Sequence, residues 1–134
     1  MPTDGHVDVE LTLPAGEASP GRARAAVGAW LSAHVDEPTL DDALLLVSEL
    51  VTNSVRHAGA PQDAQITVRA WRRGKGFRFE VRDAGRRGAV GIRDRAVDEA
   101  GGYGLALVAA LASAWGVKRA DGTTVWFELR TRAC

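Results

Sequence analysis

Glu49, Asn53 and His57 stand at intervals of four within LLLVSELVTNSVRHAG, residues 44–59. Four residues are slightly more than one helical turn, so each position lies about 40° round from the last, stacked along one side. A carboxylate such as that of Glu49 can orient and deprotonate a hydroxyl or a water. The neutral oxygen of Asn53 suits Mg2+, a hard cation that keeps waters and phosphate oxygens as its other ligands. His57, near the helix end, is compatible with the helix dipole whatever else it does. Taken alone, Glu and Asn on one helical face are more often solvated surface than a site.

Two further stretches have site chemistry. In VRDAGRRG, Asp83 ends an apolar strand and Gly85 follows two residues later, where the backbone can turn and approach a ligand closely. A strand-ending Asp can accept hydrogen bonds from a base amino group, although an Asp-x-Gly turn is the plainer reading. In GGYGLALV, Gly102 and Gly104 precede a helix, so free backbone N–H groups could cradle phosphate. A lone G-x-G at a helix start is also ordinary loop geometry. Arg86, Arg87, Arg93 and Arg95 lie between these motifs and read mainly as a solvated run.

The elements that must hold these residues are legible from periodicity. Val7, Val9, Leu11 and Leu13 alternate with polar residues, the pattern of a half-buried strand. SPGRARAAVGAWLSAH predicts a helix capped by Ser19, with Pro20 in its first turn and an apolar stripe of Ala23, Ala26, Val27, Trp30 and Leu31. The helix carrying Glu49 has Thr39 as expected N-cap, Gly59 as its stop, and Leu40, Ala43, Leu44, Val47, Leu50, Val51, Val55 and Ala58 as its core face. Ile66, Val68 and Ala70, then Phe77, Phe79 and Val81, alternate around RRGKG and predict an antiparallel hairpin. Residues 84–101 are Gly- and Arg-rich without periodicity, the pattern of a functional lid or of a disordered segment. A third helix is expected from Tyr103 to Trp115 with Gly116 as its end, then two strands around Asp121 and Gly122.

The chain has 134 residues, which suits one domain with a real core, and 17 basic residues balance 17 acidic ones. That balance offers no argument for nucleic-acid or membrane binding. Cys134 is the single cysteine, so no internal disulfide framework forms. The amino terminus shows no signal-peptide pattern, and YGLALVAALASAW is too short for the roughly 20 residues of a spanning helix. These features predict a cytoplasmic, soluble domain of α+β class, a two-layer sandwich with three helices on one face of a sheet.

Taken in order, E-x-x-x-N-x-x-x-H, D-x-G after a strand, G-x-G-L opening a helix and a Thr-bearing strand resemble the GHKL (histidine-kinase-like) ATPase superfamily. SELVTNSVRHAG, VRDAG, GYGLALVAALASAWGV and TTVWFEL look most like the anti-sigma-factor serine/threonine kinases and their small actinobacterial relatives, from about Val7 to Arg130. The resemblance implies the Bergerat fold, a mixed, mostly antiparallel sheet backed by helices, with ATP held between helices and lid. It implies Glu49 as general base, Asn53 as the Mg2+ ligand and His57 in support near the phosphates. Asp83 would bind the adenine amino group, Gly85 would give room for the base, Gly102 and Gly104 would lie against the phosphates at the third helix, and Leu105 would belong to the same ATP site. Thr124 would complete the adenine pocket, with Thr123 as the alternative. Arg87 stands where the family's D-x-G-x-G has its second glycine.

The function so implied is a protein kinase that binds Mg·ATP, sequesters a sigma factor and phosphorylates an antagonist protein. Homodimers are also implied, with the first helix available for the contact. The rival is a non-catalytic module of the same fold that docks partners with or without ATP, which Arg87 favours and Glu49 with Asn53 opposes. No dimerisation helix with a phosphoacceptor histidine is present, which argues against a two-component histidine kinase.

Overall fold

The computed structural model describes residues 5–57, 64–83, 105–119 and 122–131. Along the chain run β1 (Val9–Pro14), α1 (Ser19–Leu31), α2 (Glu37–His57), β2 (Gln65–Arg73), β3 (Gly76–Asp83), α3 (Leu105–Leu111), β4 (Ala114–Arg119) and β5 (Thr123–Arg130). The five strands form one sheet in the order β1-β2-β3-β5-β4. Each of the four described pairings is antiparallel, so the sheet is antiparallel where a mixed, mostly antiparallel one was expected. Among the described residues no helix is long and apolar enough to cross a membrane.

The alternation along the strands sets the two faces. Leu13, Ile66, Val68, Ala70, Phe77, Phe79, Val81, Val125, Phe127 and Leu129 point to one side and meet Ala23, Val27 and Leu31 of α1 and Ala43, Leu46, Val47, Leu50 and Val51 of α2 in a single core. Phe79 stacks on Phe127 with centroids 4.8 Å apart, and Trp30 meets Phe77 edge-on at 5.5 Å. The stripe read on α2 extends to Leu46, while Leu40, Leu44 and Val55 are only partly buried at its margins. Ala58 and Gly59 lie outside the described residues.

Three local expectations change. Ser19 does not cap α1: its hydroxyl donates to the Pro14 carbonyl, and Ala18 takes the cap position without a side-chain bond. The strand end thus claims the group that would otherwise satisfy the helix start. Thr39 does not cap α2, which begins at Glu37, because the Asp36 carbonyl already accepts the Leu40 N–H at 3.0 Å. The Thr39 hydroxyl is instead buried with no partner among the described residues. The third helix stops at Leu111 rather than Trp115, and Trp115 and Gly116 belong to β4. Seven apolar residues suffice for two turns, after which pairing with β5 gives the backbone a better ladder than further helix would.

The outer face of the sheet carries a polar-aromatic layer. Arg78, only 5% exposed, holds its guanidinium 4.0 Å from the Trp126 ring centroid and 5.9 Å from that of Trp71. Its nitrogens bind Glu80 at 3.2 Å and Glu128 at 3.1 Å. Gly116 makes room for this layer, since a Cβ there would lie 2.7 Å from Nε1 of Trp126.

Candidate functional site

The α2 series does not stay on one solvent face. Each step of four advances about 40°, so the series winds from the flank of the helix toward the core stripe. Glu49 is half-buried, whereas Asn53 is 9% exposed and its neighbour Ser54 is buried. The amide of Asn53 makes no hydrogen bond with another described residue. The amide is nearly buried yet not sealed from solvent, so it stays accessible to a ligand.

On the sheet, the pairing register settles which threonine accompanies Asp83. Asp83 is directly opposite Thr123 on β5 and Ile66 on β2, so these side chains share a face. Thr124 is opposite Arg82 and belongs to the other face. Asp83 is 3% exposed and Thr123 is 9% exposed, while Thr124 is half-buried. The inward row therefore runs Leu13, Ile66, Asp83, Thr123, Arg119, with polar side chains replacing apolar ones from β3 onward. Arg119 is the member that the motifs do not flag. Its place follows only from counting parity along β4, and Arg119, like Asp83, has an interaction partner of its own.

Length arithmetic brings α2 and this row together. Thr39 and Leu129 line one cleft, so α2 starts beside the end of β5. Asn53 is about 21 Å along the helix from Thr39, and Thr123 is about 20 Å along the strand from Leu129. Because α2 packs against both β3 and β5, Asn53, Asp83 and Thr123 lie toward the same end of the domain. Leu105 is the first described residue of α3, and its side chain is buried in the core cluster. The His57 side chain, Gly85, Gly102, Gly104 and the lid over 84–101 lie outside the described residues.

Among the described residues no group of three or more His, Cys, Asp or Glu side chains gathers to hold a metal. The donor set is instead one neutral oxygen at Asn53 with a half-buried carboxylate one turn away at Glu49. That sparseness fits Mg2+, which brings waters and phosphate oxygens as most of its ligands.

A family described as histidine kinase-like ATPase domain matches residues 13–129 of this chain. The matched range takes in Glu49, Asn53, Asp83, Leu105, Thr123 and Thr124. No curated protein matches the chain. The five-stranded antiparallel sheet with three helices agrees with the Bergerat architecture.

Proposed function

Because the chain belongs to the histidine kinase-like ATPase domain family, we propose that its ATP site serves a serine/threonine protein kinase of anti-sigma-factor type. The observation that supports an ATP site most directly is the buried Asp83–Thr123 pair at the end of the β3–β5 ladder. Asp83 would accept the adenine amino group, and Thr123, on the same face, would take the polar contact expected of Thr124. Asn53 would hold Mg2+ through its side-chain oxygen, and the bound ion would neutralise charge on the phosphoryl group being transferred. Glu49 would take the proton of the attacking hydroxyl, which must come from a partner protein. That partner is an antagonist with a target Ser or Thr, and a sigma factor is the protein held and released.

Phosphoryl transfer depends mainly on positioning and charge stabilisation, so one carboxylate, one metal ligand and phosphate-binding backbone suffice. Arg87, in place of a glycine, favours a second reading in which the domain binds nucleotide and partners without transfer.

The deciding experiment is transfer of labelled phosphate from Mg·ATP to a candidate antagonist, with calorimetric ATP titration alongside. Transfer that falls about a hundredfold in Glu49→Gln, with ATP affinity retained, supports the kinase and the base. ATP binding with no transfer by the wild type leaves the non-catalytic reading. If wild-type and Glu49→Gln transfer equally fast, the kinase stands and the base is another group.

A further inference from the structure

We propose that the end of the sheet away from Asp83 is a docking surface for an extended, acidic segment of a partner protein. The proposal stands apart from the kinase reading, since neither nucleotide nor phosphoryl transfer enters it.

Register carries the argument. Arg73 is opposite Gly76, and Gly76 is opposite Arg130, so the three share one row on the outer face across β2, β3 and β5. With neighbouring strands about 4.8 Å apart, the Cα atoms of the two arginines stand about 10 Å apart, with no side chain at Gly76 between them. Gly76 must be bare, because a Cβ there would lie 2.3 Å from the Leu129 carbonyl oxygen. Arg73 reaches over β3 to Glu128 at 3.0 Å, so the cations left open at this end are Lys75 and Arg130.

Two clefts extend it. One, of about 480 Å3, is bordered by Arg73, Lys75, Gly76, Glu128 and Arg130 among others. The second, of about 390 Å3, adds Arg72, which is opposite Phe77 and so on the inner face, and shares Lys75, Phe77 and Arg130 with the first, so the track turns round the end of the sheet. Arg72, Arg73, Lys75 and Arg130 are all exposed. Arg72, Lys75 and Arg130 form no ion pair with a described residue. The carboxylate of Glu128 is already shared between Arg73 at 3.0 Å and Arg78 at 3.1 Å. Asp42 borders the adjoining cleft beside Arg130 and has a contact of its own. In a chain of zero net charge, this is local segregation of cations and not general basicity.

The arrangement also selects among anions. A single phosphate is held by donors converging on one point, whereas these cations come from the inner face, the turn and the outer face at the sheet's end. Nucleic-acid grooves interleave exposed aromatic rings for base stacking. Phe77, the aromatic residue bordering both clefts, is buried, and Arg72 lies 5.4 Å from its ring centroid. An extended peptide places side chains on one side about 7 Å apart, so two or three carboxylates can follow cations spread round the sheet's end. Such a contact sets on-rate and specificity, and it weakens as salt screens it.

The test uses fluorescein-labelled hexaglutamate and the full chain, read by fluorescence anisotropy at about 50 mM and about 300 mM salt. Expected are saturable binding at low salt, marked weakening at high salt, and a loss of about tenfold or more in Lys75→Glu/Arg130→Glu. Reversal of Arg22 and Arg24, exposed on α1, leaves binding unchanged. Unaltered thermal melting and far-ultraviolet circular dichroism in the double variant show that docking alone is lost. Should that variant fail to fold, Lys75→Ala/Arg130→Ala carries the same test. The proposal is overturned if the peptide does not bind at low salt, or if the folded variant binds as well as wild type. It is equally overturned if oligo-dT or inorganic phosphate competes at lower concentration than hexaglutamate.

Discussion

Asp83 and Thr123 interrupt an inward row that begins with Leu13 and Ile66, and their burial makes them sensitive to single-atom changes. Asp83→Asn replaces a charged acceptor with a neutral amide and should weaken ATP by about 1–3 kcal/mol in calorimetry. Thr123→Val should weaken it by about 1 kcal/mol, whereas Thr124→Val, on the opposite face, should leave it within error. Equal effects at the two threonines would remove the assignment by face. Asp8 offers a different residue-scale test. Slight burial raises its pKa, but the Arg72 N–H, donating at 3.0 Å, and the contact with His6 outweigh that and hold it below the ordinary 3.8. A depressed carboxyl contributes stability above its unfolded pKa and loses it as pH falls through the folded one. Acid unfolding below about pH 4 should therefore be shallower in Asp8→Asn, measured by urea midpoints across that range.

At the scale of elements, two glycines decide how strands approach. Gly76 lies against the β5 backbone, and Gly116 lies beneath the Trp126 indole that covers Arg78. Gly76→Ala must push two backbones apart and should cost about 1–3 kcal/mol in urea unfolding. Gly116→Ala displaces a side chain instead, so a smaller loss is expected, together with a changed near-ultraviolet signal from Trp126. The reverse order of costs would mean that the indole layer is held more rigidly than the β3–β5 ladder. The same layer explains the short α3. Trp115 and Gly116 are needed in strand register opposite Phe127 and Trp126, and helix continuation would remove both from the sheet.

For the molecule as a whole, nucleotide binding and folding are linked. A ligand at a hundredfold excess over its Kd, binding only the folded state, stabilises by about 2.7 kcal/mol. Mg·ATP at that excess should raise the melting temperature, and Asp83→Asn at the same ATP concentration should show a smaller rise. An identical rise in both proteins would place the nucleotide elsewhere.

Much of this architecture was legible in the chain itself. Period-two runs at Ile66–Ala70, Phe77–Val81 and Val125–Leu129 become strands, and the threes and fours after Leu40 become α2. Such patterns are local, because burying one face of an element requires apolar residues at that element's own repeat. The order of Glu49, Asn53, Asp83 and the Thr-bearing strand likewise points to the family without any coordinates. What tertiary structure alone decided is pairing. Adjacent threonines have opposite faces, and only the register of β5 against β3 says that Thr123 and not Thr124 joins Asp83. A short apolar run suits helix or strand equally, so the end of α3 depended on β5 offering an edge to Ala114–Arg119. The Arg73–Gly76–Arg130 row joins residues from three strands that no window of sequence contains, because hydrogen-bonded neighbours are set by topology and not by distance along the chain.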